Sequence, residues 1–391
     1  MTASPTLGQV LRCVIQGPMG SALHLSPHHW KTLRALAACR TSALGGQLFQ
    51  CTGCQRQHFV AHSCRNRHCP QCQGARAVDW LQQQEAVLLP IPYFHVVFTL
   101  PHILNGVIRQ NRRAFFKLLF DAASQTLLEF GAGRFKAQLG ITAILHTWSQ
   151  TLLDHYHLHC IVSGGGVALD GTRWVSSPAH YLFPVCALSR MFRGKYLAGL
   201  KELYQAGKLE FHGQCQGLAA TGQFASLLRE ASRPQWVVYA KRPFAGPKQV
   251  LAYLSLYTHR VAISNRRLLW AEAQSVTFDY KDYAHGAKHK TMTLGLEEFV
   301  RRFCLHVLPE RFVKIRHYGL LGNRQRQQRL ARARQLLGCS APSPEKTRLG
   351  KEECAQMPRA CCPFCRQPAL VLLREVAPER SARPVARMDS S

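Results

Sequence analysis

Apolar residues recur at helical spacing over Gln9 to Gln16 and over His28 to Ala38, with His and Arg on the outer faces, so the first 45 or so residues read as helical. A third helix is expected from Ala75 to Leu89, closed by Pro90-Ile-Pro92. The pattern then changes. Tyr93-Phe-His-Val-Val-Phe-Thr-Leu100 is continuously apolar, aromatic and β-branched, which predicts a buried central strand. A helical stretch follows from Arg109 to Phe130; its run Phe115-Phe-Lys-Leu-Leu-Phe120 is broken by charge and reads as amphipathic. Ile141 to Trp148 and Tyr156 to Ser163 predict two strands of a hairpin, the second ended by Gly164-Gly-Gly166. Further helices are expected from Leu188 to about Gly207 and from Lys248 to Thr258, with strands near Val276 to Tyr280 and Thr291 to Leu294. Beyond Ser340, Pro, Ser and charged residues suggest a mobile linker and tail.

The strand at Tyr156 to Ser163 carries the most informative chemistry. Side chains alternate along a strand, so His155, His157 and His159 share one side while Tyr156, Leu158, Cys160 and Val162 share the other. The second set makes a core face, and the first is polar where a core strand would not be. His146 lies eleven residues before His157 on the partner strand of the hairpin, placed to approach the same point. Three imidazoles there would hold a divalent ion with positions left for a phosphate oxygen. His155 and His95 read instead as structural residues.

About a hundred residues on, Tyr253 and Tyr257 stand four apart in an expected helix, with both hydroxyls on one face. A phenol, with a reference pKa of about 10, is a poor nucleophile unless the developing charge is stabilised. Beside a metal, either tyrosine could attack a DNA phosphate, giving a 5′-phosphotyrosyl link and a free 3′-hydroxyl. Without the histidines, the pair would read as ordinary helix aromatics.

Charge and cysteines narrow the field. With 50 Lys+Arg against 21 Asp+Glu, the formal charge of +29 implies a polyanionic partner, nucleic acid before a membrane surface. At 391 residues and 47% hydrophobic, the chain can form two or three globular domains. The opening Met1-Thr-Ala-Ser-Pro lacks the basic and apolar regions of a secretory signal, and no apolar run reaches the ~20 residues of a membrane helix. A cytoplasmic protein is expected, and its 16 cysteines then favour metal ligation or burial over disulfides. Cys51-x2-Cys54 and Cys69-x2-Cys72 are two CxxC knuckles separated by fourteen residues, a spacing that predicts one closed, structural zinc site with four thiolate ligands. Cys64, His58, His62 and His68 lie in the same stretch and could replace a ligand or build a second site. Cys362-x2-Cys365 is a half-site to which Cys361 or Cys354 could contribute. Arg56, Arg65, Arg67 and Arg76 put cations on the knuckle, and Arg324, Arg326, Arg329, Arg332 and Arg334 form an expected basic helix, both suited to phosphate. Trp148, Phe98 and Tyr239 could stack unpaired bases.

Several segments together resemble one family: Ser63-Cys-Arg-Asn-Arg-His-Cys-Pro-Gln-Cys72, His95-Val-Val-Phe-Thr-Leu-Pro101, Leu145-His-Thr-Trp148, His155 to Gly166, Tyr253 to Asn265 and Ile315-Arg-His-Tyr-Gly319. In this order they resemble the two-tyrosine rolling-circle transposases of the insertion sequence ninety-one type, within the HUH endonuclease superfamily. The resemblance implies an α+β fold, with an N-terminal helical zinc-binding domain followed by an HUH-type domain whose central antiparallel sheet is flanked by helices. His157 and His159 would be the HUH metal pair, with His146 as third ligand by similarity to conjugative relaxases, and Tyr253 and Tyr257 the nucleophiles. Tyr156 stands where the family would have Pro, on the apolar face. The expected organisation is a zinc-binding domain over 1–90, a catalytic domain over 91–300, a basic helical DNA-contacting segment over 301–338, and a Cys-containing linker and tail over 339–391. The implied cofactors are structural Zn²⁺ and a catalytic Mg²⁺ or Mn²⁺, and the implied partners are single-stranded DNA at element ends and target DNA. Two other readings stay open: a rolling-circle replication initiator or relaxase with the same chemistry, and a non-catalytic zinc-dependent DNA-binding regulator.

Overall fold

The computed structural model describes residues 4–17, 20, 23–85, 87–178, 180–244, 261–272, 274–339 and 361–379. The strands, in chain order, are β1 (Gly46–Cys51), β2 (Gln57–Ala61), β3 (Tyr93–Thr99), β4 (Ala137–Trp148), β5 (Asp154–Ala168), β6 (Trp174–Ser176), β7 (Val238–Phe244), β8 (Leu268–Ala271), β9 (Ser275–Asp282), β10 (Lys288–Gly295), β11 (Ile315–Gly319) and β12 (Leu370–Val376). They form three antiparallel sheets. The central one runs β11-β4-β5-β3-β7, with β6 on the far end of β5; the others run β10-β9-β8 and β12-β1-β2. The expected mixed α and β architecture around a central antiparallel sheet is what the chain adopts.

One face of the central sheet is covered by the helices Arg112–Phe130, Val185–Gln205 and Thr221–Ser232. Tyr156, Leu158, Cys160 and Val162 of β5 point into this core beside Phe94, Phe98, Phe116, Phe120 and Phe192, as strand alternation predicts. Full burial of each such aromatic stabilises the fold by roughly 1.5–3 kcal/mol. A polar network at the edge of this core fixes the start of β5. Buried Asp154 accepts from Arg109 Nε at 2.5 Å and from the Tyr156 hydroxyl at 2.8 Å.

Among the described residues, the opposite face is covered at one end only. There, Ile144, Ile161, Leu320 and Leu321 pack with Leu330 and Ala333 of the helix Arg326–Leu336. At the other end the face carries His157 and His159 and opens on a cleft.

The glycine triplet does not end the hairpin. β5 continues through Gly164, Gly165 and Gly166 to Ala168, pairing with β4 on one side and β6 on the other. The glycines allow this double pairing: a Cβ on Gly166 would collide with the Gln138 carbonyl, and one on Gly165 (φ +146°) with β6 at Val175 and Trp174.

The N-terminal helices Leu7–Gln16 and Pro27–Ala37 are well delimited. Thr6 forms a reciprocal capping box with Gln9, and Ser26 caps the second helix ahead of Pro27. Their apolar stripes share one core with β8, β9 and the helix Leu296–Cys304, through residues such as Leu11, Leu33, Val276, Phe278 and Phe299. Residues 1–90 are therefore not packed as a unit apart from 262–307. The C-terminal part departs further from expectation. Residues 361–379 do not trail away as a tail, because β12 pairs antiparallel with β1. The expected helix Lys248 to Thr258, with Tyr253 and Tyr257, lies outside the described residues. No helix among the described residues is long and apolar enough to cross a membrane.

Candidate metal centre and DNA site

His146 on β4 and His157 on β5 are directly opposed in register, and His159 faces Ile144 one step along. Alternation puts all three imidazoles on the open face, where their candidate ligand atoms lie within 4.8 Å of one another. Ring centroids are 5.4 Å apart for His146 and His157, 4.5 Å for His146 and His159, and 4.9 Å for His157 and His159. This clustering fits one shared ion.

Two neighbouring groups orient the pair. His157 Nδ1 lies 2.8 Å from the His155 carbonyl oxygen. A carbonyl only accepts, so Nδ1 carries the proton and Nε2 keeps its lone pair for a metal. His95 on β3, opposite Ile161 of β5, brings Nε2 to 2.8 Å from His159 Nδ1; with centroids 5.0 Å apart and planes 7° from parallel, the two rings lie edge to edge and nearly coplanar. Burial first, then the nearby Lys241, lowers the His95 pKa to about 4, which keeps the ring neutral and able to accept. A metal on His159 Nε2 requires the proton on Nδ1, so His159 donates and His95 accepts. Such partners fix the tautomer and angle of a ligating imidazole. His95, read from the sequence as structural, thus stands within hydrogen-bond reach of a triad imidazole. Its signal was a histidine inside an otherwise apolar strand.

The cleft over the triad has a volume of about 450 Å³. Its walls are Trp148 and the loop after it, His155, and the end of β9 from Tyr280 to Tyr283. Trp148 stacks on His146 at 4.5 Å. Lys281 lies over the Tyr283 ring at 5.6 Å, and Tyr283 is 67% exposed, so both a cation and an aromatic face are available to a ligand. Sequence reasoning placed a strand over Val276 to Tyr280 but missed that its end walls this cleft; the Tyr-Lys-Asp-Tyr cluster was the available signal.

The cysteines correct one expectation. The two knuckles do not converge on a single four-thiolate site. Cys69 and Cys72 gather with Cys39 and Cys64, whereas Cys51 and Cys54 gather with Cys362 and Cys365. The cause is topological: β1 and β2 hold the first knuckle at the tip of a hairpin, while the second opens the helix Pro70–Glu85 under the N-terminal core. In the group of Cys39, Cys64, Cys69 and Cys72, neighbouring Sγ atoms lie 3.5–3.7 Å apart. A zinc tetrahedron with Zn–S of about 2.3 Å needs roughly that spacing, whereas a disulfide needs about 2.05 Å. The set therefore fits zinc.

Family models match the chain in two places: "Transposase zinc-binding domain", of the IS91 type, over residues 15–100, and "Putative transposase" over residues 140–329. A "Putative transposase y4qJ" from Sinorhizobium fredii is 42% identical over 379 residues, covering 95% of each chain. The chain belongs to the IS91-type transposase family. The transposase for insertion sequence element IS801 from Pseudomonas savastanoi pv. phaseolicola is 28% identical to this transposase, across 80% of this chain and 75% of that one. A solved structure of the conjugative relaxase TrwC in complex with oriT DNA, metal-bound, matches 59% of this transposase and 94% of that chain. At 12% identity and a TM-score of 0.25, so loose a superposition says nothing about the site.

The arginines of this transposase are distributed differently from the expectation. Arg324 precedes the helix Arg326–Leu336 instead of lying in it. Arg329 donates to the Gly319 carbonyl at 2.6 Å, and Arg332 to that of Gly171 at 2.9 and 3.1 Å, so both tie the helix to the sheet. Arg67 likewise donates to the Phe312 carbonyl. Arg65 and Arg324 are exposed.

Proposed function

We propose that this transposase nicks one DNA strand and transfers it through a 5′-phosphotyrosine intermediate, in rolling-circle fashion. The observation carrying the reading is the convergence of His146, His157 and His159 under a cleft walled by aromatic and cationic side chains. Membership in the transposase family supplies a DNA substrate for that cleft.

A divalent cation, Mg²⁺ or Mn²⁺, held by the triad would polarise a non-bridging oxygen of the scissile phosphate. The hydroxyl of Tyr253 or Tyr257 attacks phosphorus. The bond from phosphorus to the 3′-oxygen breaks, the phenolic proton passes to solvent, and the departing oxygen leaves as a 3′-hydroxyl after protonation. The 5′ end stays on the tyrosine, so the phosphodiester is conserved for rejoining to target DNA, and the second tyrosine can open a second junction. His95 and the His155 carbonyl hold the two HUH imidazoles in the ligating tautomer. Lys281 offers charge to the phosphate backbone, and Tyr283 and Trp148 offer faces to unpaired bases. Arg65 and Arg324 are further phosphate contacts, and Arg326 joins them at the start of its helix; Arg67 and Arg329 act by holding the surface that carries the others. Zinc on Cys39, Cys64, Cys69 and Cys72 is structural. DNA chemistry of this kind fits the expected cytoplasmic setting.

The test is a denaturing-gel assay for a protein–DNA adduct on single-stranded oligonucleotides from the element ends. Expected is an adduct that needs added Mg²⁺ or Mn²⁺ and disappears in the His157→Ala/His159→Ala and Tyr253→Phe/Tyr257→Phe double variants. Folded protein that binds these strands and never forms an adduct would instead support a DNA-binding regulator.

A further inference from the structure

We propose that Cys51, Cys54, Cys362 and Cys365 hold a second structural zinc ion, which fastens the C-terminal segment onto the N-terminal sheet. The matched zinc-binding domain ends at residue 100, and the other four-cysteine group lies wholly inside it. This site instead joins knuckles at opposite ends of the sequence, with Cys51 and Cys365 314 positions apart.

The geometry is that of two equivalent knuckles facing one another. In the first, Cys51 N–H donates to the Arg56 carbonyl at 3.0 Å and Gln55 N–H to that of Cys51 at 2.8 Å, with Gln55 left-handed at φ 57°. In the second, Cys362 N–H donates to the Gln367 carbonyl at 2.8 Å and Arg366 N–H to that of Cys362 at 2.8 Å, with Arg366 at φ 62°. The same two bonds and the same left-handed residue recur at matched positions. Two non-glycine residues in that conformation, each directly after a CxxC, are strained unless something fixes the turn. Across the pair, Cys51 Sγ lies 3.5 Å from Cys365 Sγ, and Cys54 Sγ 3.6 Å from Cys362 Sγ. Those separations fit thiolates around one zinc and are too long for disulfides.

Among the described residues, the sheet that carries the knuckles has little else to hold it. β12 is exposed along Val371 to Glu375, and β2 is at most half-buried throughout. A three-stranded sheet without an apolar core is marginal in water. The knuckles are joined directly by backbone bonds such as Thr52 N–H to the Ala369 carbonyl at 2.8 Å, at a residue exposed to water. Binding energy at a metal assembled only in the folded chain is folding energy, which supplies the missing stabilisation. The C-terminal segment is on this account a fixed third strand of the N-terminal sheet, held by metal.

Cobalt titration of the full, reduced chain tests this, because the sulfur-to-cobalt charge-transfer band counts thiolate sites and ignores an imidazole site. Expected are two equivalents in the wild type, one in Cys362→Ser/Cys365→Ser, and faster amide exchange in β12 and β1 of that variant with β4 and β5 unchanged. If the variant fails to fold, the wild-type count alone decides. A single thiolate site in the wild type, or two sites retained in the variant, would each overturn the proposal. None of these readouts depends on DNA cleavage.

Discussion

Removing His95 should weaken metal binding at the triad without touching a ligand. His95 is buried on β3, makes the 2.8 Å bond to His159 Nδ1, and lies nearly coplanar with that ring. In His95→Ala, His159 loses the acceptor that holds its proton on Nδ1 and, with it, the in-plane bond that fixes the angle of the ring. Comparable losses beside ligating histidines weaken metal affinity about 10–100-fold, equivalent to about 1.4–2.8 kcal/mol. The assay is Mn²⁺ binding followed by electron paramagnetic resonance, on protein whose cysteine sites are filled with zinc. Thermal unfolding is measured alongside, because the substitution also empties space in the sheet. His95→Gln, which keeps a carbonyl acceptor, should recover part of the affinity, an effect that simple loss of packing would not produce. Unchanged Mn²⁺ affinity in folded His95→Ala protein would refute the orienting role.

Three other outcomes follow from the geometry. Lys281→Ala should weaken single-strand binding and flatten its salt dependence by about 0.7 in the log–log slope, the value for one phosphate contact, measured by fluorescence anisotropy across salt concentrations. Asp154→Ala leaves the buried Tyr156 hydroxyl without its acceptor and should destabilise the fold by about 1–3 kcal/mol in urea titration; the half-exposed Arg109 recovers water and adds little. Hydrogen bonds from Arg301, then Arg302, pull Glu298 from its ordinary 4.5 to about 2. Its small contribution is therefore complete above pH 4.5 and lost as the pH falls towards 2, and Glu298→Gln should remove that part of the acid dependence of unfolding.

Local patterns carried most of the central sheet. Alternation along β5 separated the histidine face from the core face because each side chain there is decided by its own strand. The pairing of His146 with His157 was legible because a short hairpin fixes register. Longer-range pairings were not. Two CxxC motifs so close in sequence look like one site, and nothing local reveals that each is completed by cysteines elsewhere: Cys39 and Cys64 for one, Cys362 and Cys365 for the other. The glycine triplet reads as a strand end because glycine usually breaks strands, and only the close approach of β4 and β6 explains it. The cleft wall at Tyr280 to Tyr283 depends on how the β8-β9-β10 sheet is anchored by the N-terminal helices, a contact between segments far apart along the chain.

The most direct test of tyrosine chemistry at the histidine triad is to digest the covalent adduct and identify the DNA-bearing peptide by tandem mass spectrometry. Expected is a single-stranded fragment linked through its 5′ phosphate to Tyr253 or Tyr257. Linkage instead to Tyr280 or Tyr283, which line the same cleft, would contradict the assignment of the nucleophiles, and linkage to no tyrosine would contradict the mechanism.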